Sequence, residues 1–369
     1  MSLLPRPEIE NLKVCPHGGI NYAELSAVGI APEAVLDFSV CTNPFMPPPG
    51  IKEMLNSVAI EKYPDCEATE LRQRLSDKLG VPPDNILVGS GTTELIRLIA
   101  LAYFRQGDNI LILEPTYGEY EIAAQIVGAK PIKQWLKAEN NFALKIAETI
   151  GLISEHRPRA VFICNPNNPT GKYLSRPEVE TILAAFGDGL LILDEAYLAF
   201  VETGWSSLDL VSRGNVVILR SMTKEYGLAG LRLGYTIASQ EITDNLRRVC
   251  PPWNVNAVAQ KIGAEVLADV DYLEQSKQKI NEAKQFLIEE LSRLGFQPLP
   301  SDAHYFLVKV GDARAFRTAL LKRGIQVRDG TSFGLPEYVR IGPRTMPECQ
   351  RLITTINELK KKGELDDRN

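Results

Sequence analysis

Five short apolar runs punctuate the first 220 positions of the chain: "ILV" (86–88), "ILIL" (110–113), "AVFIC" (160–164), "LLIL" (190–193) and "VVIL" (216–219). A strand with one face in water alternates apolar and polar residues, so runs that are apolar throughout predict strands buried on both faces. Between them lie segments with the three-to-four-residue apolar spacing of helices: "TTELIRLIALAYF" (92–104), "TYGEYEIAAQIVGA" (116–129) and "EVETILAAF" (178–186). A further helix, "CEATELRQRLSDKLG" (66–80), precedes the first strand and stops at Gly80. This alternation predicts an α/β fold: a three-layer, doubly wound, mainly parallel sheet with helices on both faces.

Past about residue 260 the texture changes. A long charged helix is expected over roughly 262–294, then "HYFLVKV", a helix "ARAFRTALLKRG", short strands in "IQVRDG" and "YVRIGP", and a final helix near 347–361. That order predicts a smaller α+β domain. Residues up to 50 contain "PHGG" and "NPFMPPPG" and read as an extended arm with turns. The expected division is an N-terminal arm (1–50), a large domain (51–258) and a small C-terminal domain (259–369), with "KKKGELDDRN" as a frayed, solvated tail.

The length of 369 residues suits this two-domain plan, and 44% apolar with 24% charged residues is ordinary for globular proteins. A net charge of −5 supplies no basic footprint for nucleic acid and no polybasic arm for a membrane. No apolar run reaches the roughly 18 residues of a membrane span, and "MSLLPRPEIENLKVC" lacks the apolar core of a signal peptide. Six cysteines (Cys15, Cys41, Cys66, Cys164, Cys250, Cys349) form no CxxC pair. With only three histidines, no metal site is expected, and the scattered thiols fit a reducing, cytoplasmic setting.

In doubly wound sheets, ligands bind beyond the carboxyl ends of the strands. There the sequence places "GSGTTE" (89–94), which is either a plain strand–helix turn or a phosphate cup at a helix N-terminus. Tyr117 in "EPTYGEY" is either half-buried packing or a ring that stacks on a flat heterocycle. "NPNNPTG" (165–171) carries three amides that are costly to bury without partners. Asp194 ends an apolar strand, where a carboxylate wants a cationic partner and is either a buried salt bridge or helix cap or the anion for a ligand. Lys224, after "VVILRS", is either a surface charge or a Schiff-base lysine with a depressed pKa. A phosphate cup, a stacking ring, an anion and an aldehyde-binding amine are together the needs of pyridoxal phosphate.

The ordered strings "NPNNPTG", "DEAY", "SMTK" and "GLRLGY" resemble the class I/II aminotransferase family, the fold type I pyridoxal-phosphate enzymes, over nearly the whole chain from about Leu36. The resemblance implies pyridoxal 5'-phosphate as cofactor, with Lys224 bonded to its aldehyde and Asp194 paired with its ring nitrogen. It implies Asn168 and Tyr197 on the phenolate oxygen, Tyr117 on the ring face, and Gly91, Thr92, Thr93, Ser221 and Arg232 around the phosphate. Arg328 and Arg340 would hold acidic groups of the substrate, Asn43 would line the substrate end, and Tyr63 would reach the neighbouring site of a homodimer. The substrates implied are a small amino compound and a 2-oxo acid. Two branches compete: the histidinol-phosphate aminotransferases, which lead, and the threonine-phosphate decarboxylases of cobalamin biosynthesis. "GLAGLR" leans to the first and the "HGG" at His17 to the second, unless His17 is a loop histidine without a role.

Overall fold

The computed structural model describes residues 3–10, 12–45 and 50–365. In chain order its strands are β1 (Leu36–Asp37), β2 (Ile86–Gly89), β3 (Asn109–Glu114), β4 (Lys130–Trp135), β5 (Ala160–Cys164), β6 (Leu190–Asp194), β7 (Val216–Ser221) and β8 (Gly234–Ile237). The small domain adds β9 (Gln297–Pro298), β10 (Phe306–Lys309), β11 (Ile325–Gln326), β12 (Arg328–Asp329) and β13 (Tyr338–Ile341).

The large sheet runs β2-β8-β7-β6-β5-β3-β4. All neighbours pair in parallel except β8, which is antiparallel to β2 and β7. Successive residues of β5 and β6 enter two different apolar clusters. Val161, Ile163, Leu191 and Leu193 pack with helices Thr69–Leu79 and Arg176–Phe186 on one face. Ala160, Phe162, Leu190 and Ile192 pack with helices Thr92–Tyr103 and Glu119–Ile126 on the other. The period-two side-chain alternation of a strand therefore feeds two cores at once, which is why these strands carry no polar residue until their ends.

Two strands of the large sheet escaped the sequence pattern. β4 is an edge strand in which Gln134 alone is fully buried, so it lacks an apolar run, and β8 is a four-residue strand inside a glycine-rich stretch. The long helix expected over 262–294 is two helices, Ala257–Val266 and Val270–Arg293. Asp269 separates them by accepting a 3.0 Å hydrogen bond from the N–H of Tyr272. The helix from 66 to 80 spans Thr69–Leu79 and ends at Gly80 with φ 67°, a conformation glycine adopts freely.

The small domain has an antiparallel sheet, β12-β13-β10-β9, backed by helices Val270–Arg293, Ala313–Leu321 and Met346–Lys361. Part of the expected arm belongs to it: β1 pairs in parallel with β11, and Phe38 is fully buried in the small-domain core. The expected boundary at 258/259 falls inside helix Ala257–Val266, whose Ala259, Ile262 and Val266 lie in the core of the large sheet. We propose the division after that helix, near Ala268. The expected tail is helical to Lys361; its residues 366–369, and residues 46–49 of "NPFMPPPG", lie outside the described residues. Among the described residues no helix is long and apolar enough to cross a membrane.

Candidate active site

Asp194 and Ser221 are the last residues of β6 and β7, and their parity puts them on the face of Ile192 and Leu219. That face is covered by helices Thr92–Tyr103 and Glu119–Ile126, so the polar ends of the strands open between the sheet and two helix N-termini. A cavity with about 480 Å³ of atom-free space lies there. Thr92, Thr93, Tyr117, Asn168, Asp194, Tyr197, Ser221, Lys224 and Arg232 all line it.

At one end, Thr92 and Thr93 begin the twelve-residue helix, whose first N–H groups lack intrahelical partners. The expected Gly91 caps this helix with φ 79°, and a Cβ there would stand 2.8 Å from Nη2 of Arg232. Gly234 permits the second approach, since its Cβ would meet the Thr92 nitrogen at 3.0 Å. Free helix N–H groups, two threonine hydroxyls, Ser221 and a guanidinium make a cup for an anion such as a phosphate.

Asp194, which lines the same cavity, is 3% exposed. Its Oδ2 accepts from Tyr120 at 2.7 Å and its Oδ1 from the N–H of Ala196 at 3.0 Å. Burial nonetheless lifts its carboxyl to about 6, against the opposing pull of the Tyr120 hydrogen bond. Burial likewise depresses the Lys224 ammonium to about 8, with the charges of Arg340 and Arg232 acting in the same direction. The Lys224 nitrogen stands 5.8 Å from the centre of the Tyr197 ring. A buried anion and a buried amine in one cavity fit a ligand with a basic ring nitrogen and an electrophilic carbon; with the anion cup, the donor set fits pyridoxal phosphate.

The three asparagines of "NPNNPTG" divide their work. Asn165 bonds Leu174 through both its oxygen and its nitrogen. Asn167 bonds Thr116, the Pro115 carbonyl and Thr170. Both are structural, whereas Asn168 faces the cavity. Its Oδ1 accepts from Nη1 of Arg340, which leaves its amide N–H groups to point inward.

A second cavity adjoins the first, lined by Tyr117, Asn168, Tyr197, Lys224, Arg328 and Arg340, together with Cys15, His17 and Gly18 of the arm. Arg340 also donates to the Ser39 carbonyl at 2.7 Å, and its Nε is buried without a partner. Arg328 donates to the carbonyls of Pro16 and His17 and to Ser332. Burial and the charge of Arg340 lower the Arg328 guanidinium to about 10. His17 is not an idle loop residue: its Nε2 lies 3.0 Å from Oε1 of Glu119, and its ring lies 5.8 Å from that of Tyr117.

Two expected residues lie elsewhere. Asn43 lines neither cavity; it is 3% exposed, and its side chain ties the Glu225 carbonyl (3.0 Å) to the Phe45 N–H (3.1 Å). Its own N–H donates to the Lys224 carbonyl at 2.8 Å, so it braces the lysine's backbone instead of lining the substrate end. Tyr63 is 79% exposed and stacks on Trp253 at 4.4 Å. Sequence reasoning missed Tyr120, whose N–H donates to the Tyr117 carbonyl at 3.2 Å in the turn that enters helix Glu119–Ile126, so that both tyrosines line the inner cavity. It also missed Cys15 and Glu119: where no metal site was expected, Cys15, His17 and Glu119 place their ligand atoms within 4.8 Å of one another.

Residues 33–356 match the family described as aminotransferase class I and II. The histidinol-phosphate aminotransferase of Moorella thermoacetica is 36% identical over 325 residues, 86% of this chain and 83% of that protein. The adenosylcobalamin biosynthesis bifunctional protein CobDQ of Leptospira interrogans is 34% identical over 355 residues, 93% of this chain and 41% of that protein. The crystal structure of histidinol-phosphate aminotransferase from Sinorhizobium meliloti, in complex with pyridoxal-5'-phosphate, superposes with a TM-score of 0.89 at 23% identity, covering 98% of this chain and 99% of that one.

Proposed function

The chain belongs to the aminotransferase class I and II family and is a pyridoxal-phosphate-dependent transaminase; from that premise we propose that it passes an amino group between a small phosphorylated amine, of the histidinol-phosphate type, and 2-oxoglutarate. The observation that carries the substrate class is the pair Arg328 and Arg340. Both guanidiniums face the outer cavity, and among the described residues every hydrogen-bond partner of either is a neutral oxygen. Two buried cations without a carboxylate between them favour a ligand with two negative charges, and a guanidinium grips phosphate or carboxylate through paired N–H groups.

Bound cofactor supplies the electron sink into which a bond at the substrate's α-carbon breaks. Asp194 holds its charge against the ring nitrogen, and Tyr120 keeps that carboxylate turned inward. The amide N–H of Asn168 and the Tyr197 phenol donate toward the phenolate oxygen. Tyr117, fixed by Thr93 at 2.9 Å, covers the ring face. Gly91, Thr92, Thr93, Ser221 and Arg232 form the phosphate cup. Lys224 would hold the cofactor's aldehyde, and its amine, near 8 and so partly neutral at physiological pH, would be suited to taking a proton from the substrate's α-carbon and returning it.

A second copy of the chain completes the site. Tyr63 is exposed and stacked on the exposed Trp253, and from this surface it would reach the partner's cavity. The cytoplasm is the compartment that fits the six free thiols.

A second reading, decarboxylation of threonine phosphate, is favoured by one feature: the arm segment Pro16–Gly18 borders the outer cavity and binds Arg328. A substrate whose carboxylate, and not its α-hydrogen, were turned by the arm toward the cofactor would lose CO₂ instead of a proton. Incubation with histidinol phosphate and 2-oxoglutarate is expected to yield glutamate without CO₂. Release of CO₂ from threonine phosphate with no glutamate in the first assay overturns the lead reading in favour of the second.

A further inference from the structure

At the rim of the outer cavity three potential ligands of different chemistry face one another. Cys15 and His17 lie on the arm, and Glu119 opens the helix Glu119–Ile126. Their ligand atoms fall within 4.8 Å of one another. Glu119 is oriented from behind: Arg97 holds Oε2 at 3.1 Å, which leaves Oε1 for the arm, 3.0 Å from Nε2 of His17. Among the described residues the Cys15 thiol makes one hydrogen bond, a long 3.7 Å one donated to the Pro16 carbonyl. Residue 118 is a glycine, and a Cβ there would lie 2.5 Å from that sulfur, so the thiol can occupy this position only because residue 118 has no side chain.

We propose that Cys15, His17 and Glu119 form a site for an exchangeable divalent cation of the zinc class, which ties the arm across the mouth of the substrate cavity. Zinc bonds of about 2.0–2.2 Å to nitrogen and oxygen and about 2.3 Å to sulfur place tetrahedral ligands roughly 3.4–3.6 Å apart. The His17–Glu119 pair already stands near that spacing, and the thiol, on a half-buried arm residue, closes the remainder. On binding, Cys15 loses its proton to solvent. The His17 ring takes the tautomer protonated at Nδ1, freeing the Nε2 lone pair, and thiolate and carboxylate balance the two charges of the ion. Water fills the fourth position. Arg97 on Glu119 and Arg328 near Cys15 oppose additional positive charge, which makes the ion exchangeable. Cys15, His17 and Gly18 share the cavity wall with Lys224, Arg328 and Arg340, so fixing them narrows the path to the lysine.

The test is a competition titration of the cofactor-loaded protein with zinc chloride against a chromophoric chelator. Wild type is expected to take up one zinc per chain. Cys15→Ser and Gly118→Ala should each weaken that binding by more than about 100-fold, beyond the 10–100-fold typical of an outer partner. Gly118→Ala keeps all three ligands and only displaces the sulfur, so it separates ligation from a general loss of thiol. Turnover by wild type should fall on adding zinc and recover with chelator, while Cys15→Ser, compared with its own metal-free rate, should not respond. Absence of stoichiometric binding overturns the proposal. So does zinc binding that survives Cys15→Ser and is lost in Cys66→Ser, the exposed thiol.

Discussion

The Tyr120 phenol donates a 2.7 Å hydrogen bond to Oδ2 of Asp194, at the carboxyl end of β6. Tyr120 is fully buried and stacked on Phe162 at 4.6 Å, so its hydroxyl has no freedom to leave. The bond favours the ionised carboxylate, the form that pairs with a protonated ring nitrogen. Tyr120→Phe removes it without opening a cavity. A hydrogen bond to a charged group contributes about 1.5–3 kcal/mol, so the dissociation constant for pyridoxal phosphate should rise roughly tenfold to hundredfold. Equilibrium dialysis measures it; affinity within twofold of wild type would show that burial alone positions Asp194.

Asp194 also makes cofactor-free stability depend on pH. Its carboxyl is raised to about 6, so the folded chain holds that proton more tightly than the unfolded chain, where the value is near 3.8. Stability from this group is therefore present below about pH 4, is lost as pH rises toward 6, and falls no further above. In cofactor-free Asp194→Asn that loss is absent, and the variant should gain roughly 2–3 kcal/mol on wild type between pH 4 and pH 7. Urea denaturation at several pH values reads the difference, and a gap that does not change with pH would contradict it.

Glu195 and Arg220 clamp the strand ends that carry the site. Glu195 Oε2 accepts from Arg220 at 2.9 Å and Oε1 from Ser207 at 2.5 Å, with the Glu195 side chain 2% exposed. Arg220→Ala strands a buried charge and should cost about 3–5 kcal/mol of folding stability, of which Glu195→Gln in the same chain restores a part. A loss below about 1 kcal/mol would mean that Glu195 is already neutral.

Tyr63 offers a test of shared sites. If each site uses Lys224 from one chain and Tyr63 from the other, Lys224→Ala and Tyr63→Ala proteins should each be poorly active alone. Unfolding and refolding them together creates mixed dimers with one intact site, and about a quarter of wild-type activity should return, from half the dimers having one site of two. No recovery on mixing would remove Tyr63 from the catalytic assembly.

Much of the site could be read from the chain because strand ends carry it. Once "LLILD" and "VVILRS" are read as buried parallel strands, Asp194 and Lys224 must follow their carboxyl ends, and "GSGTTE" must open a helix toward them. Local motifs with fixed spacing thus determined the fold class and nine of the residues that line the inner cavity. Pairing between distant segments was not legible. No local pattern in the sequence signals that Leu36–Asp37 pairs with Ile325–Gln326, that Asn43 spends its amide on the backbone at Glu225 and Phe45, or that Cys15 and His17 meet Glu119 about a hundred residues away. Those contacts join arm, large domain and small domain. Sequence periodicity decides which face of an element is buried; which other element covers that face is decided only when the whole chain packs.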